Sequence, residues 1–205
     1  MNSKNKIIII TTLIVLFFLI LVGVKNHNPL LYSLDQNTAT LVNEIKTPKL
    51  NNFMFFITKT LDPYQTLLIF ILLSIFLLYK RNKKDFYTFS IACSLGITMP
   101  QIFKILVERV RPTNCMITET GFSFPSGHAT MATVLLICLI TTVTPHIKNK
   151  FSKYFILAIS VVILPIIAFS RVYLSVHFAT DIIAGITLGI VCYMITTEIV
   201  DRQTK

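Results

Sequence analysis

Six apolar runs alternate along the chain with short charged or turn-forming stretches, at residues 7–24, 63–79, 86–107, 127–143, 154–174 and 180–199. The first carries no charge over 18 residues. As a helix rising about 1.5 Å per residue it would span roughly the hydrocarbon thickness of a bilayer. Lys4 and Lys6 precede it, but no small-x-small cleavage pattern follows Gly23. It therefore reads as a retained helix rather than a signal peptide. Pro100 and Pro165 fall inside runs, where they predict kinks and not breaks. Residues 25–62 differ, being polar on average. Within them Leu41, Ile45, Leu50, Phe53, Met54 and Ile57 recur at mostly helical spacing. That pattern predicts one or two amphipathic helices lying on the membrane surface. The expected fold is all-α. It is a six-transmembrane-helix bundle with an extra amphipathic helical segment between the first and second spans, all in one domain over residues 1–205.

Composition strengthens this picture. The chain is 54% hydrophobic and 14% charged, where a soluble domain carries roughly 25% charged residues. So few charges cannot coat a water-soluble globule, but they suffice for the two ends of a bundle in lipid. The net charge of +10 does not indicate a nucleic-acid partner. The basic residues sit in short clusters between apolar runs, where membrane proteins carry their topology signals. With the N-terminus inside, the inner segments hold Lys4, Lys6, Lys80, Arg81, Lys83, Lys84, Lys148, Lys150, Lys153, Arg202 and Lys205. The outer segments hold Lys25, Lys46, Lys49, Lys59, Lys104, Arg109, Arg111 and Arg171. Three of the outer cations belong to the candidate site below. Setting them aside leaves 11 inner against 5 outer, which places both termini in the cytoplasm of a multi-pass cell-membrane protein. Cys93, Cys138 and Cys192 lie in apolar runs and read as packing residues, while Cys115 lies in a polar connection. None has metal-ligand spacing.

In this topology three stretches bring their ionisable groups to the outer face. Lys104 and Arg111 lie at the end of the third run, followed by Pro112. Pro125-Ser126-Gly127-His128 opens the fourth. Ser170-Arg171 closes the fifth, and His177 and Asp181 bracket the start of the sixth. Ionisable groups near membrane depth are costly and mark function by default. Lys104, Arg111 and Arg171 would repel one another without an anion between them. Arginine's planar fork fits phosphate oxygens, and lysine adds a point charge. Ser126 offers a hydroxyl, and Gly127 offers a backbone N–H at a helix N-terminus. Together they describe a phosphate cradle. His177 and Asp181, four apart, share a helix face. A carboxylate on one ring nitrogen fixes the tautomer and raises the basicity of the other, which makes the imidazole a nucleophile. His128 is left as general acid and then base. Three cations oppose a divalent ion, so no metal or other cofactor is expected. Arg109 reads as an interfacial anchor, Glu108 as a partner for a neighbouring cation, and His27 and His146 as solvated residues.

The three blocks Lys104…Arg111-Pro112, Pro125-Ser126-Gly127-His128 and Ser170-Arg171…His177…Asp181 match, position by position, the pattern Lys-x6-Arg-Pro, Pro-Ser-Gly-His, Ser-Arg-x5-His-x3-Asp. In this the chain resembles the type 2 phosphatidic acid phosphatase family of membrane lipid phosphatases. The resemblance implies a six-helix membrane fold with a metal-free site at the outer face. His177 would be the nucleophile, Asp181 its orienting partner and His128 the proton donor. Lys104, Arg111, Ser126, Gly127 and Arg171 would hold phosphate, and Pro112, Pro125 and Ser170 complete the motifs. Size and layout resemble the short bacterial members, which act on undecaprenyl diphosphate, phosphatidylglycerol phosphate or phosphatidic acid. The expected partners are thus a membrane lipid phosphate and the bilayer. The alternative is a catalytically inactive membrane protein that binds lipid phosphate. Intact His128, His177 and Asp181 argue against it.

Overall fold

A computed structural model describes residues 3–203; Lys205, counted above on the inner side, lies outside them. Helix α1 is Ser3–Lys25, α2 Pro29–Glu44, α3 Pro48–Lys59, α4 Pro63–Tyr79 and α5 Lys83–Val107. Helix α6 is Gly127–Cys138 and runs on through a π turn, Leu139–Val143, and a 3-10 turn, Thr144–His146. Helix α7 is Lys150–Tyr173 and α8 is Ala179–Gln203. The described residues contain no strand.

The apolar runs and these helices coincide to within a few residues, the helices extending into the polar flanks. Helices α1, α5, α6 with its continuation to His146, α7 and α8 are each long and apolar enough to cross a membrane. Helix α4 meets that standard jointly with α3, from which it bends by 50°. Large apolar side chains such as Ile8, Leu19, Leu68 and Leu72 stand exposed along these helices. A soluble monomer could not carry so much apolar surface; lipid covers it. Pro100 and Pro165 lie inside α5 and α7, which continue past them.

Residues 29–59 form two amphipathic helices, and their starts are written in the sequence. Asn28 and Thr47 cap α2 and α3, accepting from the N–H groups of Leu30 and Leu50, and each is followed by proline at the first helical position. Proline there forfeits only an N–H that no helical carbonyl could reach.

The core forms where α8 packs against α6, α1 and α5. Gly185 and Gly189, one turn apart on α8, make the closest approach. A Cβ on Gly185 would stand 2.6 Å from the carbonyl oxygen of Ser126, and one on Gly189 2.7 Å from that of Thr130. Small residues at this spacing let two helix backbones meet. Phe17 of α1 packs edge-on against Phe103 of α5, with ring centres 4.7 Å apart. At one end of the bundle, Lys6 pairs with Glu198 and Asp201, and Lys84 pairs with Asp201. Those pairs put the start of α1, the start of α5 and the end of α8 together. The end of α5 and the starts of α6 and α8 therefore lie at the opposite end, where the candidate residues gather.

Candidate active site

That opposite end holds a cavity of about 710 Å³. Lys104, Arg111, Gly127, His128, Arg171 and His177 all line it. Five separate elements bring them there.

Lys104 stands in the last turn of α5, which stops at Glu108 in a left-handed conformation (φ 54°). Glu108 thus ends the helix, where a charge partner had been expected. Arg111 extends from the loop 108–126. Its guanidinium donates to the carbonyls of Gly121 at 3.0 Å, Thr120 at 3.2 Å and Val176 at 2.8 Å. These bonds hold its fork beside the cavity.

The Phe124–Pro125 bond is cis, and Ser126 caps α6 by accepting from the N–H of Ala129. The N–H of Ser126 donates to the carbonyl of Asp181 at 3.0 Å. One backbone bond thereby ties the second block to the third. Ser126 is fully buried, and its hydroxyl caps the helix that begins at the cavity wall with Gly127. Gly127 does line it, and a Cβ there would meet no protein atom within 4 Å.

In the third block the chain turns back on itself after α7. The carbonyl of Arg171 accepts from the N–H groups of Val176 and His177, at 3.0 and 3.2 Å. This turn seats the imidazole beside Arg171. Ser170, fully buried, donates its hydroxyl to the carbonyl of Ile167 and so belongs to the helix. His177 Nδ1 faces Asp181 Oδ2 at 3.3 Å. A carboxylate only accepts, so Nδ1 carries the proton and Nε2 keeps its lone pair. Arg111 Nη1 lies 3.4 Å from Nε2. Burial pushes the His177 pKa down to about 4; Asp181 opposes the shift, and Arg171 and Arg111 add to it. The ring is therefore neutral at neutral pH.

Three acidic side chains enter the site that no motif announced. Glu119, from the loop, pairs with both Arg171 and Arg111. Burial would raise its pKa, but the two guanidiniums hold it below the ordinary carboxylate range. Asp62, at the joint between α3 and α4, stands 3.4 Å from His128 Nε2. Asp35, from α2, is buried against the start of α8, where it accepts from the N–H and the hydroxyl of Thr180. Thr58 of α3 accepts from Arg171 Nη1 at 2.7 Å. No local spacing links these residues to the blocks. The only sequence signal for them is that a polar group on an otherwise amphipathic or apolar face needs a partner.

Arg109 is not the interfacial anchor its position suggested. Its Nη1 donates to Asp181 Oδ1 and its Nη2 to Asp35 Oδ2, both at 2.6 Å. Its guanidinium lies over the Phe178 ring, 3.9 Å from the centroid. His146 also departs from its solvated reading, since Nε2 pairs with Asp85 Oδ2 at 2.6 Å.

Arg171 Nε is buried in the cavity wall with no hydrogen-bond partner among the described residues, and His128 Nε2, also buried there, has only the ion-pair contact with Asp62 at 3.4 Å. Leaving a buried polar group unsatisfied costs about 1–3 kcal/mol. A phosphate oxygen bound in the cavity would give Arg171 Nε the acceptor it lacks. Among the described residues no three of His, Cys, Asp and Glu come together as metal ligands do. The cavity's character is that of an anion site.

Over 185 residues, 88% of this chain and 89% of the relative, the sequence is 29% identical to phosphatidylglycerophosphatase B of Bacillus subtilis. Over 156 residues, 73% of this chain and 70% of the relative, it is 28% identical to undecaprenyl-diphosphatase of Sulfolobus acidocaldarius. The fold is similar to a crystal structure of a transmembrane PAP2-type phosphatidylglycerolphosphate phosphatase from Bacillus subtilis. That match has a TM-score of 0.79 at 25% identity and covers 96% of this chain and 97% of the other. The PAP2 superfamily model matches residues 86–205. With all three motif blocks inside that stretch, this multi-pass membrane chain belongs to the PAP2 superfamily.

Proposed function

We propose that the protein is a membrane lipid phosphatase that hydrolyses a lipid phosphomonoester or diphosphate through a phosphohistidine. The observation that carries this reading is the His177 imidazole. It is buried, neutral and aligned by Asp181, and it faces a cavity shared with three cations and a second histidine. In the first step Nε2 of His177 attacks phosphorus, and the bond from phosphorus to the leaving oxygen breaks. His128 gives that oxygen a proton. In the second step water attacks the phosphohistidine, His128 takes the water's proton, and the N–P bond breaks to release phosphate. Lys104, Arg111 and Arg171 neutralise charge on the equatorial oxygens, a task that magnesium performs in many phosphoryl-transfer enzymes. The N–H of Gly127 adds a donor at the start of α6. No cofactor takes part in either step.

The lipid half of the proposal rests on the cavity's other wall. Leu67 and Phe70 of α4 and Ile97 of α5 line it. Leu67 and Ile97 are also exposed on the apolar outer surface, at 55% and 47%. The cavity therefore opens between two lipid-facing helices, where an acyl or prenyl chain enters with its phosphate leading. Undecaprenyl diphosphate, phosphatidylglycerol phosphate and phosphatidic acid all have this form, and two of the relatives carry names built on the first two. Both termini are cytoplasmic and the site is extracytoplasmic, the arrangement that the 11-to-5 charge bias supports. The whole chain acts as one domain.

Purified protein in detergent with EDTA, assayed on a panel of these lipids, tests the proposal. Turnover should persist in EDTA, and His177→Ala should abolish it. Rapid quenching with a labelled substrate should trap an acid-labile, alkali-stable phosphoenzyme. Normal turnover in His177→Ala would overturn the mechanism, and loss of activity in EDTA would overturn its metal-free form.

A further inference from the structure

A buried aspartate on the amphipathic helix α2 is out of place in a segment that otherwise lies beside the bundle. Asp35 is 3% exposed, and every one of its contacts leads to the catalytic end of α8. Oδ1 accepts from the backbone N–H of Thr180 at 2.9 Å. This satisfies one of the orphan donors in the first turn of α8 from outside that helix. Oδ2 accepts from the Thr180 hydroxyl at 2.9 Å and from Arg109 Nη2 at 2.6 Å. The other nitrogen of that fork, Nη1, donates to the Thr180 hydroxyl at 2.7 Å and to Asp181 Oδ1 at 2.6 Å. Asp181 is left with Oδ2, which accepts from the N–H of Phe178 at 3.0 Å and faces His177 Nδ1 at 3.3 Å. Both oxygens of Asp181 are thus assigned, one to Arg109 and one to the histidine. The plane of Arg109 is fixed in turn by Asp35 on one edge and by the Phe178 ring beneath it.

We infer that Asp35 is a positioning residue for catalysis. Through Arg109 it clamps Asp181 in the rotamer that holds His177 in its reactive tautomer. The inference rests on His177 and Asp181 being the reacting pair. It gives α2 a defined task, namely to supply a second carboxylate to a partly buried arginine and so complete a chain from Asp35 to Arg109 to Asp181 to His177. A partly buried arginine between two buried carboxylates is held at both ends. With one carboxylate neutralised it is held at one end only, and the polar network becomes partly satisfied and loose. Neither Asp35 nor Arg109 lines the 710 Å³ cavity. Their loss should therefore reach the chemical step and leave substrate binding nearly untouched.

The test uses full-length protein in detergent, with dioctanoyl phosphatidate or whichever lipid of the panel above the unaltered protein hydrolyses fastest. Asp35→Asn keeps the size of the side chain and an acceptor for Thr180 but sets an amide against Arg109. We expect kcat to fall about 10- to 100-fold, by analogy with the loss of hydrogen-bond partners behind metal-ligating histidines and carboxylates. KM should move by less than about threefold. Phosphoenzyme formation should slow in the same ratio as kcat. Because the residues act as a unit, Asp35→Asn combined with Arg109→Gln should be no worse than Arg109→Gln alone. An unchanged kcat, a rise in KM alone, or losses that multiply in the double variant would overturn the inference. So would a kcat loss no larger than the loss of folded protein by size exclusion. If Asp35→Asn does not fold, Arg109→Lys replaces it under the same criteria, since it keeps the charge but cannot bridge two carboxylates. His177→Ala runs alongside. Turnover there would sink the mechanism itself, whereas a dead His177→Ala beside a normal Asp35→Asn would sink this inference alone.

Discussion

His177 is kept uncharged by the same burial that shields it from water, and this has a measurable consequence for stability. Its folded pKa is pushed down to about 4 by burial first, with Arg171 and Arg111 contributing and Asp181 opposing. In the unfolded chain the ring returns to its ordinary value of about 6.5. Between these values the unfolded state binds a proton that the folded state does not. Stability therefore rises with pH across the window from about 4 to about 6.5 and is lost as pH falls through it, by up to about 1.4 kcal/mol per pH unit for this one group. Replacing His177 by glutamine should flatten that limb. Thermal unfolding in detergent at about pH 4.5 and about pH 7 should give a smaller difference in Tm for His177→Gln than for the unaltered protein. Equal differences would mean that the ring is not held neutral. At this scale the sequence was informative wherever chemistry is fixed by short spacing. His177 and Asp181 are four apart, and the turn that seats His177 against Arg171 spans seven residues. It was silent where partners are remote. Asp35 and Thr180 are 145 positions apart, and Arg171 and Thr58 are 113 apart. Arg109 was misread for that reason, because its meaning lies in two carboxylates on other helices.

Helices α6 and α8 hold the second and third blocks in register, and the two glycines on α8 make that contact possible. A Cβ on Gly185 would meet the backbone oxygen of Ser126, the residue whose N–H donates to Asp181. Backbone cannot yield as a flexible side chain can, so Gly185→Ala must push the helices apart. We expect a loss of about 1–3 kcal/mol from overpacking, read as a lower Tm in detergent, with activity falling as the two blocks separate. Gly127→Ala is the matched contrast. Its Cβ would meet no protein atom within 4 Å and would project beside the phosphate. Tm should hold while turnover falls. A Gly185→Ala protein with unchanged Tm and activity would show that the contact is not tight. The element boundaries were legible because apolar runs stop at charges, and α4 lies where the second run was read, at residues 63–79. The π turn at Leu139–Val143 and the 50° bend between α3 and α4 were not. Asp62-Pro63 marks where α4 starts but not the angle of the bend, and no residue type marks the π turn.

For the whole molecule, the ion pairs of Lys6 and Lys84 with Glu198 and Asp201 gather one end of the bundle, and the cavity lies at the other. That separation ties the direction of the site to the direction of the termini, so one label decides both. Cys115 sits in the loop 108–126 beside the site and is exposed, whereas Cys93, Cys138 and Cys192 are buried. A membrane-impermeant maleimide added to intact cells should therefore modify Cys115 and spare the rest. Its thiol donates to the carbonyls of Pro112 and Ser175. A cysteine placed at Lys83, in the basic stretch at the other end, provides the counterpart. It should react only after the membrane is opened. Protection of Cys115 in intact cells together with reaction of the Lys83 position would invert the protein in the membrane. The catalytic geometry would survive that inversion, since none of its distances depends on which side faces out. The source of substrate would not survive it, because a site on the cytoplasmic face would draw its lipid phosphates from the inner leaflet.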